Sequence, residues 1–563
     1  MKRLIALLSL SIACTTAFTK ERTLQQKRDA AATVLDRVAQ TTRADATEQL
    51  EPLYSTSTFT VMGRRTAGGF AVIANDDAHE AVLGYSQSRY ADSMPCGLKW
   101  WMKATDIALQ RGEATSDKTA EIAASKGLAR SAGPLLTCEW GQGEPFNNLC
   151  PTLPPGEHCA AGCLPVAVAQ VMYYHKHPGM GTGSHEYLWL TLTSGKEYRL
   201  SADFGNTMYD WYNMLDRYEP GTYSETEARA VAELVYHCGV GMEADYDLDE
   251  TSAYTLDAGY AMLTYMGYNP DMVYIERSEH EDEWMELLMS EIDAGRPVIY
   301  DARKLNGGDM FTADRHVFVI DGYDADGLVH VNWGWGGTAD GMYRIDNLKP
   351  FEDEEGYDVD QYMLMYVAPK QKEVPARFMY SNRDITFYQN GIYMNWYGGI
   401  GQVNNISCRP AYGRLSLICE GIDGFWFSEL LSVPVDGINP LQGFQLRTSS
   451  FEIPAYMPDG RYRVYDAYYD HLTERWVRVV HDRNSINEFV VTKQGDTFTE
   501  YEGISTSVSG VKAAGYADGR IRVYDMSGIL VMEAEADGFS TSDIPGSGTF
   551  IISDGQTARK IVK

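Results

Sequence analysis

Cys163 and His316 are the residues whose type and surroundings could support nucleophilic catalysis. Cys163 follows Ala161-Gly162 and opens the run Cys163-Leu164-Pro165-Val166-Ala167-Val168-Ala169-Gln170-Val171-Met172-Tyr173-Tyr174-His175. That run is apolar nearly all round with one early proline, which predicts a buried central helix carrying Pro165 in its first turn. A thiol at such a terminus meets unpaired N–H groups and the positive end of the helix dipole, and both favour the thiolate. By itself the position also suits a small buried hydrophobe or a disulfide partner of Cys159. His316 opens Arg315-His316-Val317-Phe318-Val319-Ile320-Asp321-Gly322-Tyr323, followed by Leu328-Val329-His330-Val331-Asn332-Trp333-Gly334-Trp335-Gly336-Gly337. This reads as a strand, a turn at 324–327 and an antiparallel partner ending in a glycine-rich loop. A base beside a thiol must be oriented by a third group. An indole packed on the imidazole or the Asn332 amide could do so, and both readings stay open. His330 and Trp333 read as structural. Upstream, Gln142 in Trp140-Gly141-Gln142-Gly143 offers a side-chain NH2 that could serve as an oxyanion donor beside the Cys163 N–H.

The elements that must position these groups fall into a dense α+β stretch from Pro134 to about Lys370, helix signals first and strand signals after. Before it, a helical pattern between Glu21 and Gln49 (Ala31, Val34, Leu35, Val38) precedes strand-like runs at Thr58–Met62 and Phe70–Ala74. A second helical stretch opens at Leu98–Trp101 and ends near Leu109. Residues 111–131 then turn to Ala, Ser, Thr, Lys and Glu, the composition of an exposed linker. Beyond Pro375, short alternating segments around Gly460–Tyr465 and Arg475–Val479 suggest an immunoglobulin-like β-sandwich. The tail adds strands at Arg520–Tyr524, Ile529–Met532 and Thr549–Ser553.

These motifs together resemble the streptopain family of papain-like cysteine peptidases, in its interpain-like multidomain form. The resemblance runs through Leu135-Leu136-Thr137-Cys138-Glu139-Trp140-Gly141-Gln142, Gly162-Cys163, Tyr236-His237-Cys238-Gly239-Val240 and the whole of His316 to Gly337. It implies a papain-like fold with Cys163 as nucleophile, His316 as general base, Gln142 in the oxyanion hole and Trp335 flanking the histidine. Through Gly68-Gly69-Phe70-Ala71-Val72-Ile73, Val82-Leu83-Gly84-Tyr85 and Leu98-Lys99-Trp100-Trp101, the region before Ser131 resembles the family's inhibitory propeptide. The cut is then expected between Ala114 and Ser131. Ile521-Arg522-Val523-Tyr524-Asp525-Met526-Ser527-Gly528 and the basic C-terminus resemble sorting domains of type IX secretion. The expected layout is a signal peptide at 1–19, an α+β propeptide at 20–131, and a peptidase domain at 132–370. A β-sandwich at 371–497 and a sorting domain at 498–563 complete it.

The chain departs from the family at Leu164-Pro165-Val166, Ala313-Asp314-Arg315 and the acidic loop Asp245-Tyr246-Asp247-Leu248-Asp249-Glu250, so cleft preferences are not carried over. The acidic loop suggests a taste for basic or polar side chains. The alternative to a peptidase is a catalytically silent relative serving as a binding or adhesin scaffold.

Whole-chain numbers narrow the partners. Lys+Arg 48 against Asp+Glu 78 leaves a net charge of −30 over 563 residues, which repels phosphate backbones and anionic lipid and argues against nucleic acid. Lys2 and Arg3 ahead of the short apolar run Leu4–Ala13 read as an export signal, so the product is expected outside the cell as a monomer. Export permits disulfides among the nine cysteines, with Cys150–Cys159 and Cys408–Cys419 as candidate bridges. The cysteine spacing is no zinc pattern, and neither a metal nor an organic cofactor is expected. Partners are then protein or peptide substrates, the chain's own propeptide and type IX secretion machinery.

Overall fold

A computed structural model describes residues 20–42, 48–111, 131–306, 314–500 and 520–562, with short interruptions, among them 92–93, 349–356 and 396–402. The expected signal peptide and the linker between residues 112 and 130 lie outside the described residues. Helix α1 (Leu24–Thr42) turns Ala31, Val34 and Leu35 onto Met62, Ala71 and Ile73 of an antiparallel sheet. That sheet comprises β1 (Glu51–Ser55), β2 (Phe59–Gly63), β3 (Phe70–Ala74) and β4 (Val82–Ser86). Helix α2 (Cys96–Gln110) follows, close to its predicted bounds.

The pro-segment sheet does not end at its own last strand. β4 pairs antiparallel with β9 (Gly341–Tyr343), so the pro-segment and the peptidase region share one ten-stranded sheet. Its order is β1-β2-β3-β4-β9-β8-β7-β6-β10-β5, where β5 is Val273–Glu276, β6 Val298–Asn306, β7 Asp314–Tyr323, β8 Val329–Asn332 and β10 Tyr357–Met365. The predicted strand–turn–strand around residues 324–327 is the β7–β8 hairpin.

Two cores form on the two faces of this sheet, because successive side chains of a strand point to opposite sides. Along β7, Val317 and Val319 enter one core, and Phe318 and Ile320 enter the other. The first core is covered by α3 (Cys163–His175), α4 (Glu225–Gly241) and α5 (Thr255–Tyr265). α4 starts in a capping box, the Ser224 hydroxyl accepting from the Glu227 N–H while the Glu227 carboxylate accepts from the Ser224 N–H. The second core is covered by α6 (Trp284–Asp293) and by the pro-segment helix α2. Trp100 meets Phe318, and Trp101 packs edge-on against Tyr343 while donating from Nε1 to the Arg344 carbonyl at 2.7 Å. Buried aromatics of this size contribute roughly 1.5–3 kcal/mol each relative to exposure. The pro-segment is thus part of a core, not a detached cover.

The C-terminal part begins with a sheet of β11 (Ala411–Gly421), β12 (Phe427–Ile438), β13 (Gly460–Asp470), β14 (Arg475–Arg478), β15 (Glu488–Gln494) and β16 (Thr497–Glu500). Two smaller sheets lie beside it. This region enters the peptidase cores through Ile406 and Cys408. That placement overturns the candidate Cys408–Cys419 bridge: Cys408 packs at Gly259 of α5, and Cys419 lies in the sandwich's own core. Cys150 and Cys159 are likewise thiols in the structure, and no disulfide occurs among the described residues. The tail forms β17 (Arg520–Asp525), β18 (Leu530–Glu535), β19 (Thr549–Ser553) and an unpredicted β20 (Ala558–Val562). No described helix is long and apolar enough to cross a membrane.

Candidate active site

Cys163 is the first residue of α3, as its sequence context requires, and Gly162 is the N-cap with φ 93° and ψ 144°. Only glycine fits there. The backbone is left-handed, and a Cβ would lie 3.0 Å from Thr251 Cγ2 and 3.1 Å from the Thr251 carbonyl oxygen. The helix behind Cys163 is buried from Leu164 to Tyr173, so the thiol is presented half-buried on a rigid support. The other cysteines of this core differ. Burial pushes Cys150 up to about 12 and Cys159 up to about 11, and raises Cys138 and Cys238 further, which keeps these thiols protonated and inert.

Gln142 reaches the nucleophile segment through the backbone: its carbonyl accepts from the Ala161 N–H at 2.9 Å. The stretch before it is fixed by Trp140, fully buried, whose N–H donates to Gln170 Oε1 at 3.3 Å and whose Nε1 donates to the Leu215 carbonyl at 2.8 Å. Gln170 belongs to α3, so one helix carries the thiol and braces the glutamine loop. Nothing in the sequence had singled out Gln170 beyond its being the polar residue of an apolar run.

Trp335 comes to the same corner. Gly336 donates to the Trp140 carbonyl at 2.9 Å, and a Cβ on Gly334 would sit 3.5 Å from Val166 of α3. Gly334 and Gly336 have φ of 69° and 63°, the turn chemistry that brings the loop round. Trp335 stays 39% exposed, whereas Trp333, two residues earlier, is buried against Phe318 and Tyr343. One of the two adjacent indoles is therefore core and the other faces the site.

His316 lies on β7 opposite Ala302. Val319 is registered with Asn332, the last residue of β8, after which the chain turns into the glycine loop that carries Trp335. Asn332, the other candidate orienter, is engaged elsewhere: Nδ2 donates to the Cys138 carbonyl at 2.8 Å and Oδ1 accepts from the Gly334 N–H at 3.0 Å. Strand alternation sets His316 on the face of Phe318 and Ile320, the face covered by α2, whereas α3 with Cys163 packs on the face of Val317 and Val319. The structure thus gathers the segments bearing Cys163, Gln142 and Trp335 at one corner, on a helix packed against β7, the strand that carries His316.

The acidic loop forms a wall beside the nucleophile. The Ala160 N–H donates to the Asp247 carbonyl at 2.9 Å, and Thr251 Oγ1 donates to the Ala160 carbonyl at 2.7 Å. A buried pair lies behind the tryptophan loop. His330 Nδ1 and Asp321 Oδ1 are 2.6 Å apart, and Asp321 Oδ2 accepts from the Leu136 N–H at 2.7 Å. Burial works against charge on His330, and the Asp321 hydrogen bond outweighs it, so the imidazole's pKa is raised. Burial of the Asp340 carboxylate raises its pKa to about 7. Among the described residues no cluster of three or more His, Cys, Asp or Glu could hold a metal ion.

With a thiol at a buried helix's N-terminus and an α+β sheet of this order, the comparisons with known proteins define the class as a cysteine-type peptidase. Residues 140–343 match the model of the peptidase C10 family. Streptopain of Streptococcus pyogenes is 31% identical over 304 residues, covering 51% of this chain and 73% of streptopain. The chain belongs to the peptidase C10 family. The thiol protease/hemagglutinin PrtT of Porphyromonas gingivalis is 29% identical over 338 residues, and the match spans 56% of this chain but only 38% of PrtT. Among solved structures, a prointerpain A fragment of Prevotella intermedia is 37% identical with a TM-score of 0.49, covering 57% of this chain and 98% of the fragment. Active interpain A from the same organism is 40% identical with a TM-score of 0.38, covering 44% of this chain and 97% of interpain A.

Proposed function

We propose that the chain is the zymogen of a secreted cysteine endopeptidase that cleaves peptide bonds through Cys163 and His316. In this reading the Cys163 thiolate attacks the peptide carbonyl and the oxyanion is held by the Cys163 N–H and the Gln142 side chain. His316 protonates the leaving amine, and water then hydrolyses the thioester. Trp335 packs beside the imidazole and shields it from water. The observation that carries this is the convergence of the segments bearing Cys163, Gln142 and Trp335 at one end of α3, which packs on the strand that carries His316.

Latency is supported by the face on which His316 lies. α2 begins at Cys96, and a Cβ on Gly97 would meet Trp333 Cε3 at 2.6 Å and Phe318 Cδ1 at 3.6 Å. The pro-segment therefore arrives over the same end of β7. In this reading activation consists of removing residues 20–131, which cover β7 beside His316. The peptidase's own first residues stay on the sheet, since Ala132 bridges Tyr323 and the Leu135 N–H donates to the Asp321 carbonyl at 2.9 Å. The pattern Lys2 to Ala17 supports export, the C-terminal β-unit is read as the sorting domain, and proteins or peptides are the substrates.

The test is thiol chemistry. Iodoacetamide should label Cys163 rapidly near neutral pH in the processed enzyme and far more slowly in the full-length chain. Cys163→Ala should abolish casein hydrolysis, and Gln142→Ala should lower kcat by about 10²–10³-fold. Casein hydrolysis retained by Cys163→Ala would sink the proposal.

A further inference from the structure

The loop that carries Trp335 is held from two sides, and neither holder belongs to the proposed catalytic set. From inside, the Asp340 carboxylate accepts the Trp333 N–H at 2.8 Å, closing the loop on itself. The Ala339 carbonyl accepts from Trp333 Nε1 at 3.0 Å and from the Tyr343 hydroxyl at 2.5 Å, and Ala339 has a φ of 63°, a conformation costly for alanine. From outside, Ser88 Oγ of the pro-segment accepts the Ala339 N–H at 2.7 Å, and Ser86 Oγ donates to the Asp340 carbonyl at 2.7 Å. The two serine hydroxyls lie 3.1 Å apart, and Ser86 is the residue paired with Gly341 across the β4–β9 junction. The pro-segment thus grips the backbone of two residues, the strained Ala339 and Asp340, whose side chain closes the loop.

We propose that Asp340 is a positioning residue for the peptidase reaction, fixing the Trp333–Asp340 loop so that Trp335 stands beside His316. Ser86 and Ser88 clamp that loop until the pro-segment leaves. This rests on the reading that His316 is the base and Trp335 its flanking residue. Asp340 acts through Trp335 and touches no reacting atom. When the pro-segment departs, the Ala339 N–H and the Asp340 carbonyl exchange two protein partners for water, and the loop is left to its own bonds, among which the Asp340–Trp333 bond ties its two ends together. An amide oxygen at position 340 would accept the same N–H, so the bond needs an acceptor there and not a charge.

Full-length wild type, Asp340→Asn and Asp340→Ala are to be processed in trans by wild-type enzyme, with active sites counted by thiol labelling. Asp340→Ala should lower kcat on a peptide substrate about 10–100-fold with KM within about threefold, and Asp340→Asn should recover kcat to within about threefold of wild type. Equal kcat in Asp340→Ala and wild type overturns the proposal, and so does an Asp340→Asn enzyme as impaired as Asp340→Ala. A second arm avoids changing the mature polypeptide at all. Ser86→Ala/Ser88→Ala should speed self-processing about three- to tenfold and release an enzyme of unchanged kcat/KM, and an unchanged processing rate removes the clamp. Cys163→Ala is the control that separates the two failures: hydrolysis by that variant defeats the catalytic reading itself, whereas an inactive Cys163→Ala beside a fully active Asp340→Ala defeats only this one.

Discussion

The peptidase region is gripped on two sides, and the two contacts are built differently. On the pro-segment side the contact is one strand pair, β4 on β9, with the uncharged hydrogen bonds of Ser86, Ser88 and Trp101 and aromatic rings shared across the second core. On the sandwich side Cys408 plugs the first core at Gly259, the Tyr274 N–H donates to the Ile406 carbonyl at 2.8 Å, and charges cross the boundary. Asp271 pairs with Arg475 of β14, next to the buried bidentate pair of Arg409 with Asp470. Ring packing and one edge pair can separate into two surfaces without stranding a charge. Separating the sandwich would break the Asp271–Arg475 ion pair and strip each charge of its partner. The first contact suits a piece meant to leave, and the second a piece meant to stay.

The largest test is deletion. Removing residues 371–563 should lower the melting temperature of the remaining chain by more than about 10 °C or leave it insoluble, because it uncovers both cores at Ile406 and Cys408. Proteolytic removal of 20–131 should leave a folded enzyme with full thiol labelling. Equal losses from the two deletions would erase the contrast.

A subtler test puts a bulky residue at the glycine of each contact. A Cβ at Gly259 would lie 2.8 Å from Cys408 Sγ, and Gly259→Val should destabilise the whole protein by about 1–3 kcal/mol in urea unfolding. Gly97→Val presses on Trp333 from the pro-segment side and should act only before processing, as faster self-cleavage with an unchanged mature enzyme. A Gly97→Val zymogen that processes at the wild-type rate would count against a separable pro-segment contact.

The smallest expected effect is a difference in pH response. Asp340, on the pro-segment side, has a carboxyl raised to about 7, so the folded state holds its proton more tightly than the unfolded chain does. Stability from this group is fullest below about pH 4 and is lost as pH rises toward 7. His330 acts in the same direction, its pKa raised and its contribution lost as pH climbs through that value. On the sandwich side, burial tends to raise Asp470, but the hydrogen bonds from Arg409 and Thr473 win and its pKa falls. That contribution is present above about pH 4 and disappears only in stronger acid. Limited proteolysis of the full-length chain should find the pro-segment contact more resistant at pH 5 than at pH 8, and the sandwich contact equally resistant at both. Better protection of the pro-segment at pH 8 would contradict this assignment.

Local pattern determined a good deal about this protein. The apolar run after Gly162 specified a buried helix with Cys163 at its start, and residues 315–337 read as a strand, a turn and an antiparallel partner. The motifs in residues 316–337 carried the family resemblance, which alone gave Trp335 a different expected role from Trp333, and the comparisons bear out the family. What sequence could not reach depends on which segments meet. Asn332 and Trp335 were both candidates to orient the histidine, and only the structure shows the Asn332 amide bound to the Cys138 carbonyl and the Gly334 N–H. Cys408 and Cys419, eleven positions apart, looked like partners but fold into different cores. The fusion of pro-segment and peptidase into one sheet, with Ser86 and Ser88 on the tryptophan loop, joins residues some 250 positions apart. Periodicity records which face of an element is apolar and is silent on what covers it, so only the tertiary structure decided those contacts.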